Sequence, residues 1–459
     1  MNEMLFKSMF YRQFEIEGKD LVAHFDTLRN SLIFSSKELS DELNKKLNEG
    51  TCYENDIICK PFYKSKLLVK RGSGDLPRIK EYSDDFLSRK GINIAYFVLT
   101  DTCNLNCGYC YCKKGKLSMS KEIVDKSLKV FFDNLNPENS HGYNIYVSGG
   151  EPLLDLDLFK YFINTLFTEK KNRGIDGDFY VNIATNGTLI TDSLIPFLVK
   201  NNISLSVSLD GTELMNNITR PYANGTSSFG DVVRGLKLLR KHDYSSYGIS
   251  MTVPQATLST LRKSVDFVFN DLDIKNLTVS RGAMFERQFN STAEADAYLD
   301  YCKEWADTVL DINNTLLENG CCEGRIQRHA KYISNRDFCP YFCAFGCGLV
   351  FNSDGVVSNC MCVNKHPYFT LGTVFDKNTN FTKHPFYKLA KNRYTLNMAG
   401  CLDCEALGIC GGGCAAESLF HNNSVFNKDV HSCFLIKGIV KSSIEKISKS
   451  PDLNVVVKN

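Results

Sequence analysis

At 459 residues, with 43% hydrophobic and 23% charged residues, the chain has room for two or three domains with full cores and the balance of a soluble globular protein. A net charge of +2 argues against a dedicated nucleic-acid surface or a polybasic membrane contact. Residues 1–20 are broken too often by Glu, Lys and Arg for a signal peptide, and no apolar run reaches the roughly 18 residues of a membrane span, so a cytoplasmic protein is expected. The 19 cysteines are the abnormal feature, because reduced thiols in dense groups point to metal.

Residues 1–90 read as a first, small α+β unit. Residues 14–16 and 21–25 suit paired strands. Ser35-Ser36-Lys37-Glu38, followed by Leu39, Leu43 and Leu47, predicts a helix that stops at Gly50. Residues 66–69 suit another strand. The isolated Cys52, Cys59 and Cys302 read as buried small hydrophobes. Residues 92–320 then alternate strands (92–99, 143–147, 178–184, 204–209, 248–253, 277–279) with helices (121–134, 157–167, 193–201, 231–241, 258–269, 293–317). Six apolar strands, each followed by a helix, predict a parallel sheet covered by helices, and six units make a partial (β/α)6 barrel of the TIM type rather than a closed one. Right-handed crossovers put all strand C-terminal ends on one rim, where such barrels collect chemistry.

The strand ends support that reading. The first runs into Thr102-Cys103-Asn104-Leu105-Asn106-Cys107-Gly108-Tyr109-Cys110. Three thiolates spaced in this way can hold three irons of a 4Fe–4S cluster and leave the fourth open, whereas tetrahedral zinc wants a fourth ligand. Cys112 stands too near to extend the pattern. The second strand ends in Ser148-Gly149-Gly150-Glu151-Pro152, the third in Thr185-Asn186-Gly187 and the fourth in Ser208-Leu209-Asp210-Gly211. Each is polar or glycine-rich, as a backbone approached by a ligand needs to be. Cys321 and Cys322 fall on or just past the sixth helix and read as packing residues, with a position facing the cavity as the alternative. From about residue 333 the strand–helix rhythm stops. Cys339, Cys343, Cys347, Cys360 and Cys362 crowd around Asn352-Ser353-Asp354-Gly355, and Cys401, Cys404, Cys410, Cys414 and Cys433 follow, with Gly411, Gly412 and Gly413 among them. Such a segment is hard to fold without metal. Residues 435–447 close the chain as a helix.

These motifs resemble the radical S-adenosylmethionine (SAM) superfamily with a C-terminal SPASM domain. Cys103-x3-Cys107-x2-Cys110, with Tyr109 before the last cysteine, is similar to its cluster loop. Gly149-Gly150-Glu151-Pro152 and the stretch from Ser206 to Gly211, continuing to Arg220, resemble its second- and fourth-strand motifs. The resemblance implies domains at 1–90 (peptide recognition), 91–320 (radical SAM barrel) and 321–459 (SPASM). It implies SAM as cofactor and three 4Fe–4S clusters. The first would be held by Cys103, Cys107 and Cys110. One auxiliary cluster would take Cys401, Cys404, Cys410 and Cys433, and the other Cys343, Cys360 and Cys414 with Cys339 or Cys347. Tyr109, Gly149, Gly150, Glu151, Asn186, Ser208 and Arg220 are the implied SAM-binding residues: the glycines let backbone carbonyls near the ammonium, Asn186 and Ser208 bond the ribose or methionine part, and Arg220 suits the carboxylate. An ordinary surface ion pair is the rival role for Arg220, and Asp210-Gly211 reads as turn chemistry.

The implied activity is reductive cleavage of SAM to a 5′-deoxyadenosyl radical that modifies a ribosomally made precursor peptide by a thioether or carbon–carbon cross-link. Oxidation of a protein residue, as in sulfatase maturation, and peptide epimerisation are the alternatives, with an iron–sulfur electron carrier as the non-enzymatic one. Met361 stands after Cys360 where sulfatase-maturing members carry aspartate, which weighs against that chemistry. The implied partners are the peptide or protein substrate and an external electron donor such as flavodoxin or ferredoxin, with no nucleic acid and no membrane.

Overall fold

The computed structural model describes residues 3–72, 74–112, 114–136, 139, 142–283, 289–450, 453 and 455–456. They group into two compact units, one of Met1–Arg89, Ile326–Phe342 and Arg393–Asn459, the other of Lys90–Arg325 and Cys343–Asn392. Residues 321–459 are therefore shared between the two. No helix among the described residues is long and apolar enough to cross a membrane.

The larger unit is built on a nine-stranded sheet. Its first six strands in chain order are Ile94–Thr100, Tyr143–Gly149, Phe179–Thr185, Ile203–Ser208, Tyr247–Val253 and Leu277–Arg281, each parallel to the next. The parallel run does not stop at six. Gly348–Phe351 pairs in parallel with the other edge of Ile94–Thr100, and Val356–Ser358 and Thr370–Thr373 extend the sheet antiparallel. That seventh strand, only four residues long and set among cysteines, carries too little periodicity to stand out in the sequence.

One face of the strands is continuously apolar. Ala95, Phe97, Ile145, Val147, Ile183, Leu205 and Val207 are buried. Phe97 meets Phe131 and Phe162 of the helices Lys121–Asp133 and Leu156–Asn172 at ring-centroid distances of 5.7 and 4.7 Å. Truncating such a residue costs about 3–5 kcal/mol. Alternate positions on the other face, such as Ser148, Asn182, Ser206 and Ser208, are polar and half-buried. The expectation of helices covering apolar strands thus holds for one face, and the other mixes hydroxyls and amides with Val98 and the stacked rings of Tyr96 and Tyr146, as the interior of an open barrel can.

Caps set the helix starts: Ser120, Asp155 and Ser291 accept the N–H groups of Ile123, Leu158 and Glu294. The helix expected over 258–269 is broken into a 3₁₀ segment Gln255–Thr260, an α turn Leu261–Asp266 and a π turn Phe267–Asp271. The Thr257 and Thr260 hydroxyls donate to the carbonyls of Pro254 and Thr257 at 3.1 and 2.7 Å, which accompanies the tighter first winding.

In the smaller unit Tyr11–Glu15, Val22–Asp26 and Ser31–Ser35 form an antiparallel meander, with Val455–Val456 parallel to the outer edge of the third strand. Leu5–Lys7 and Leu68–Lys70 make a second, two-stranded sheet. Helix Lys37–Asn48 starts at the predicted cap, where Ser36 accepts the Leu39 N–H at 3.2 Å. Helices Cys59–Lys64 and Asp75–Ser88 were not foreseen. Cys52 and Cys59 are buried as expected but are joined in a disulfide, a correction to their reading as free thiols. The closing helix runs Val430–Ile447.

Candidate active site

The end of the first strand is held by the turn after the second. Gly150 N–H donates to the Thr100 carbonyl at 2.7 Å, and Glu151 N–H to that of Thr102 at 2.8 Å. A Cβ at Gly150 would lie 2.0 Å from the Thr102 oxygen, and one at Gly149, where φ is +138°, 2.2 Å from the Thr100 oxygen. Both glycines are therefore demanded by backbone against backbone, ahead of any ligand. Glu151 is fully buried. Its carboxylate accepts the N–H groups of Leu153 (3.1 Å) and Asn186 (2.6 Å) and the Thr185 hydroxyl (2.8 Å), tying the second strand end to the third. Burial raises its pKa to about 7 against those hydrogen bonds.

The cysteine loop is pinned from its other side by the segment after the fourth strand. Asn106 N–H reaches the Pro221 carbonyl (2.7 Å), Gly108 N–H that of Thr219 (3.3 Å), and Ala223 N–H that of Asn104 (3.0 Å). N–H donors face the sulfurs: Leu105 N–H at 3.4 Å and Asn186 Nδ2 at 4.0 Å from Cys103 Sγ, and Arg220 Nη1 at 4.0 Å from Cys107 Sγ. Burial pushes the Cys103 and Cys107 thiols up, and neighbouring Cys110 adds to both; Cys110 itself is lowered to about 6 by its hydrogen bond with Cys112. Three close sulfurs with N–H groups aimed at two of them fit thiolate ligands of an iron–sulfur cluster, whose potential such donors tune.

Asp210, read from sequence as turn chemistry, is the hub of the fourth strand end. Its carboxylate accepts the hydroxyls of Tyr109 (2.5 Å) and Thr219 (2.7 Å) and the N–H of Thr252 (2.9 Å). It also pairs with Arg220 Nε at 2.9 Å, although that N–H is out of line for a hydrogen bond. The Arg220 guanidinium lies 5.2 Å from the Tyr109 ring centre. Arg220 is buried, so its ion pair is internal rather than a surface contact. Gly211 does serve the turn, with φ +104° and a would-be Cβ 2.2 Å from Ser264 Cβ.

Asn186 Nδ2 donates to Asn104 Oδ1 at 2.7 Å, and Asn104 Nδ2 to the Thr188 hydroxyl at 2.9 Å, which donates back to Asn186 Oδ1 at 2.7 Å. That ring of side chains commits Asn186 to the cysteine loop. Ser208 ends the fourth strand, half-buried and in register with Ser250.

A cavity of about 550 Å³ opens beside the loop, with Tyr109, Cys110, Ile218, Cys362 and Lys365 in its wall. Gly149 and Gly150 line a smaller one together with Cys112, Met361 and Lys365. Glu151, Asn186, Ser208 and Arg220 are not among the described residues lining either. The contribution of residues 361–365 was not legible in sequence. They reach the site because Lys365 Nζ pairs with Asp101 (2.8 Å) and Asp354 (3.3 Å), and the Ser353 hydroxyl donates to Asp101 (2.8 Å).

In the smaller unit Cys401, Cys404, Cys410 and Cys433 line one small cavity with Gly412, Gly413 and Asp429. The fully buried arrangement around them is held by two residues that sequence reasoning missed. Arg393 donates to the Gly412 and Gly413 carbonyls at 2.7 and 3.0 Å. Asp429 accepts the Cys414 N–H at 2.9 Å, while the Cys433 thiol donates to its carbonyl at 3.3 Å. Burial raises all four thiols, Cys433 to about 12. Cys339, whose N–H donates to the Gly408 carbonyl at 2.7 Å, belongs with Cys414 to this unit, and Cys343, Cys347 and Cys360 belong to the other.

Residues 97–268 match the model of the Radical SAM superfamily. Over 422 residues the chain is 24% identical to the radical SAM cyclopropyl synthase TigE of Paramaledivibacter caminithermalis, covering 85% of this chain and 83% of that protein. Over 337 residues it is 24% identical to the cysteine-type anaerobic sulfatase-maturating enzyme of Clostridium perfringens, 68% of this chain and 85% of that one. Among solved structures, native anSMEcpe with bound AdoMet and Kp18Cys peptide superposes with a TM-score of 0.61 at 20% identity, over 77% of this chain and 97% of that one, a likeness of fold.

Proposed function

We propose that this chain, a radical SAM enzyme with its domain of that superfamily at residues 97–268, matures a ribosomally made peptide by forming a thioether or carbon–carbon cross-link in it. The observation that carries the reading is the three-thiol loop, with N–H donors facing its sulfurs, set in the wall of a 550 Å³ cavity. The superfamily's 4Fe–4S cluster and SAM together supply, when bound, a 5′-deoxyadenosyl radical able to take a hydrogen atom from substrate.

Cys103, Cys107 and Cys110 would hold that cluster and leave one iron for SAM. Asn186 and Arg220 serve the ligand sulfurs through their N–H groups, and Asp210 fixes Arg220 and Tyr109 in turn. Glu151 keeps the glycine turn against the loop, with Gly149 and Gly150 bringing backbone to the SAM side and Ser208 offering a hydroxyl from the fourth strand end. Cys401, Cys404, Cys410 and Cys433 fit one auxiliary cluster. Cys343, Cys360 and Cys414, with Cys339 or Cys347, are assigned to the other only by their resemblance to the SPASM pattern. The meander of residues 11–35 is the peptide-gripping part of an N-terminal domain, by strand addition. An external flavodoxin- or ferredoxin-type donor provides electrons.

The peptide held by anSMEcpe supports a peptide substrate. Met361 after Cys360 disfavours formylglycine formation. Anaerobic incubation with SAM, a reductant and the peptide encoded beside this gene tests the proposal. The expected product is lighter by two hydrogens and appears with 5′-deoxyadenosine. A product of unchanged mass that gains deuterium from D₂O would mean epimerisation, and no SAM dependence would end the radical reading.

A further inference from the structure

The wall of the 550 Å³ cavity runs out to the surface, where Tyr111 is 46% exposed. Ile218 lines the 550 Å³ cavity and is 58% exposed. Leu214, one turn earlier on helix Glu213–Thr219, is 66% exposed. Residues four apart share a helix face, so the pair makes one apolar strip running out of the cavity.

The helix is not free to roll that strip inward. Its buried residues are Met215, Asn216 and Thr219. Asn216 Nδ2 donates to the Ser228 hydroxyl at 3.2 Å, and Thr219 Oγ1 to Asp210 at 2.7 Å, while the Thr219 carbonyl accepts Gly108 N–H from the cysteine loop. The contacts that seat the loop therefore also hold two aliphatic side chains in water. Single exposed leucines need no explanation; a pair continuous with an active cavity does.

The charge around the cavity agrees. Among its described lining residues there is no carboxylate, and the single cation, Lys365, is already engaged by Asp101 and Asp354. The other polar groups include the carboxamides of Gln255 and Asn364, which suit peptide amides, and Pro254 and Val363 add apolar surface. An anionic side chain brought here would lose water and find no unengaged cation among the described residues, whereas an apolar one would cover Ile218 and Leu214.

We propose that Leu214 and Ile218 are a specificity face that selects an uncharged, apolar segment of the substrate peptide at the modified site. The identity of the occupant rests on the peptide-maturase reading; the chemistry it must have does not. The test is an anaerobic pull-down of random-sequence decapeptides by the immobilised full chain, read by mass spectrometry. It compares wild type with Leu214→Lys and with Leu214→Lys/Ile218→Lys. Wild type is expected to enrich peptides with Leu, Ile, Val or Phe over those with Asp or Glu by about tenfold, the scale of apolar-pocket discrimination. The double variant loses that preference and turns toward acidic peptides, with Leu214→Lys between the two. The difference between proteins cancels peptides retained elsewhere on the surface. Identical profiles for wild type and double variant overturn the proposal, as does equal recovery of acidic and apolar peptides by wild type. Because binding is read without turnover, a failure of the radical reading appears separately, as absence of 5′-deoxyadenosine from wild type with SAM. Both side chains are exposed, so unchanged thermal melting of the variants excludes misfolding as the cause of a shift.

Discussion

The two cysteine-bearing regions solve different problems. Cys103, Cys107 and Cys110 hang on a loop at the strand ends of a sheet, braced by side chains from three neighbouring strands and bordering a 550 Å³ cavity. Cys401, Cys404, Cys410 and Cys433 surround a space of about 20 Å³, held by a buried arginine on glycine carbonyls and an aspartate joining two parts of the string. Three ligands with room beside them suit a metal that must take an exogenous ligand, and four around a closed space suit one that must not. The contrast lies in the supporting residues as much as in the count of thiols.

The largest effect that could break this contrast comes from the cysteines themselves. Cys107→Ala is expected to abolish 5′-deoxyadenosine formation while leaving the iron of the second region, and Cys404→Ala to lose iron there while SAM is still cleaved. Iron content and product analysis on the two variants check both, and loss of SAM cleavage in Cys404→Ala would erase the division. Next comes pH. Glu151 titrates at about 7 in the fold against 4.5 ordinarily, so folding favours its protonated form. Its contribution is complete below pH 4.5 and lost as pH rises through 7, about 3 kcal/mol in all. Urea unfolding of apo protein at pH 4.5 and 8 should show wild type losing that much relative to Glu151→Gln. A pH-independent difference would mean that the carboxylate is not held as described.

The two aspartates sharpen the contrast further. Asp210→Asn should slow SAM cleavage by about 10–100-fold, the range for residues that orient ligands from behind. Asp429→Asn should lower auxiliary iron and spare cleavage. Steady-state rates and iron content on both variants decide, and equal effects on the rate would remove the distinction. The smallest effect is expected for Tyr109→Phe, which deletes one of several partners of Asp210 and costs about 1 kcal/mol by thermal unfolding.

Much of this was legible in the chain. Period-two apolar runs and capped helices gave the six strand–helix units to within a few residues, and the cysteine spacing marked both regions. What was hidden has a common cause. Asp210, Asn104, Thr188, Arg393 and Asp429 act through partners distant in sequence, and their types are ordinary in turns and caps, so nothing local distinguishes them. Gly149 and Gly150 were singled out for a ligand, while their first duty is the approach of two backbones. Residues 361–365 join the cavity because Lys365 pairs with Asp101, a contact across the length of the barrel sequence.

The seventh parallel strand has a consequence for how the protein is made. Gly348–Phe351 completes the edge of Ile94–Thr100, the strand that carries the cysteine loop, yet it leaves the ribosome long after it. At ~5–20 residues per second that edge waits on the order of tens of seconds with unpaired amides. Strand pairing across so long a stretch of chain is slow to close and open to wrong partners until it does. Nascent chains shorter than about 350 residues are therefore expected to be the aggregation-prone species, and the yield of folded enzyme to depend on chaperone cover over that interval more than on the stability of the finished fold.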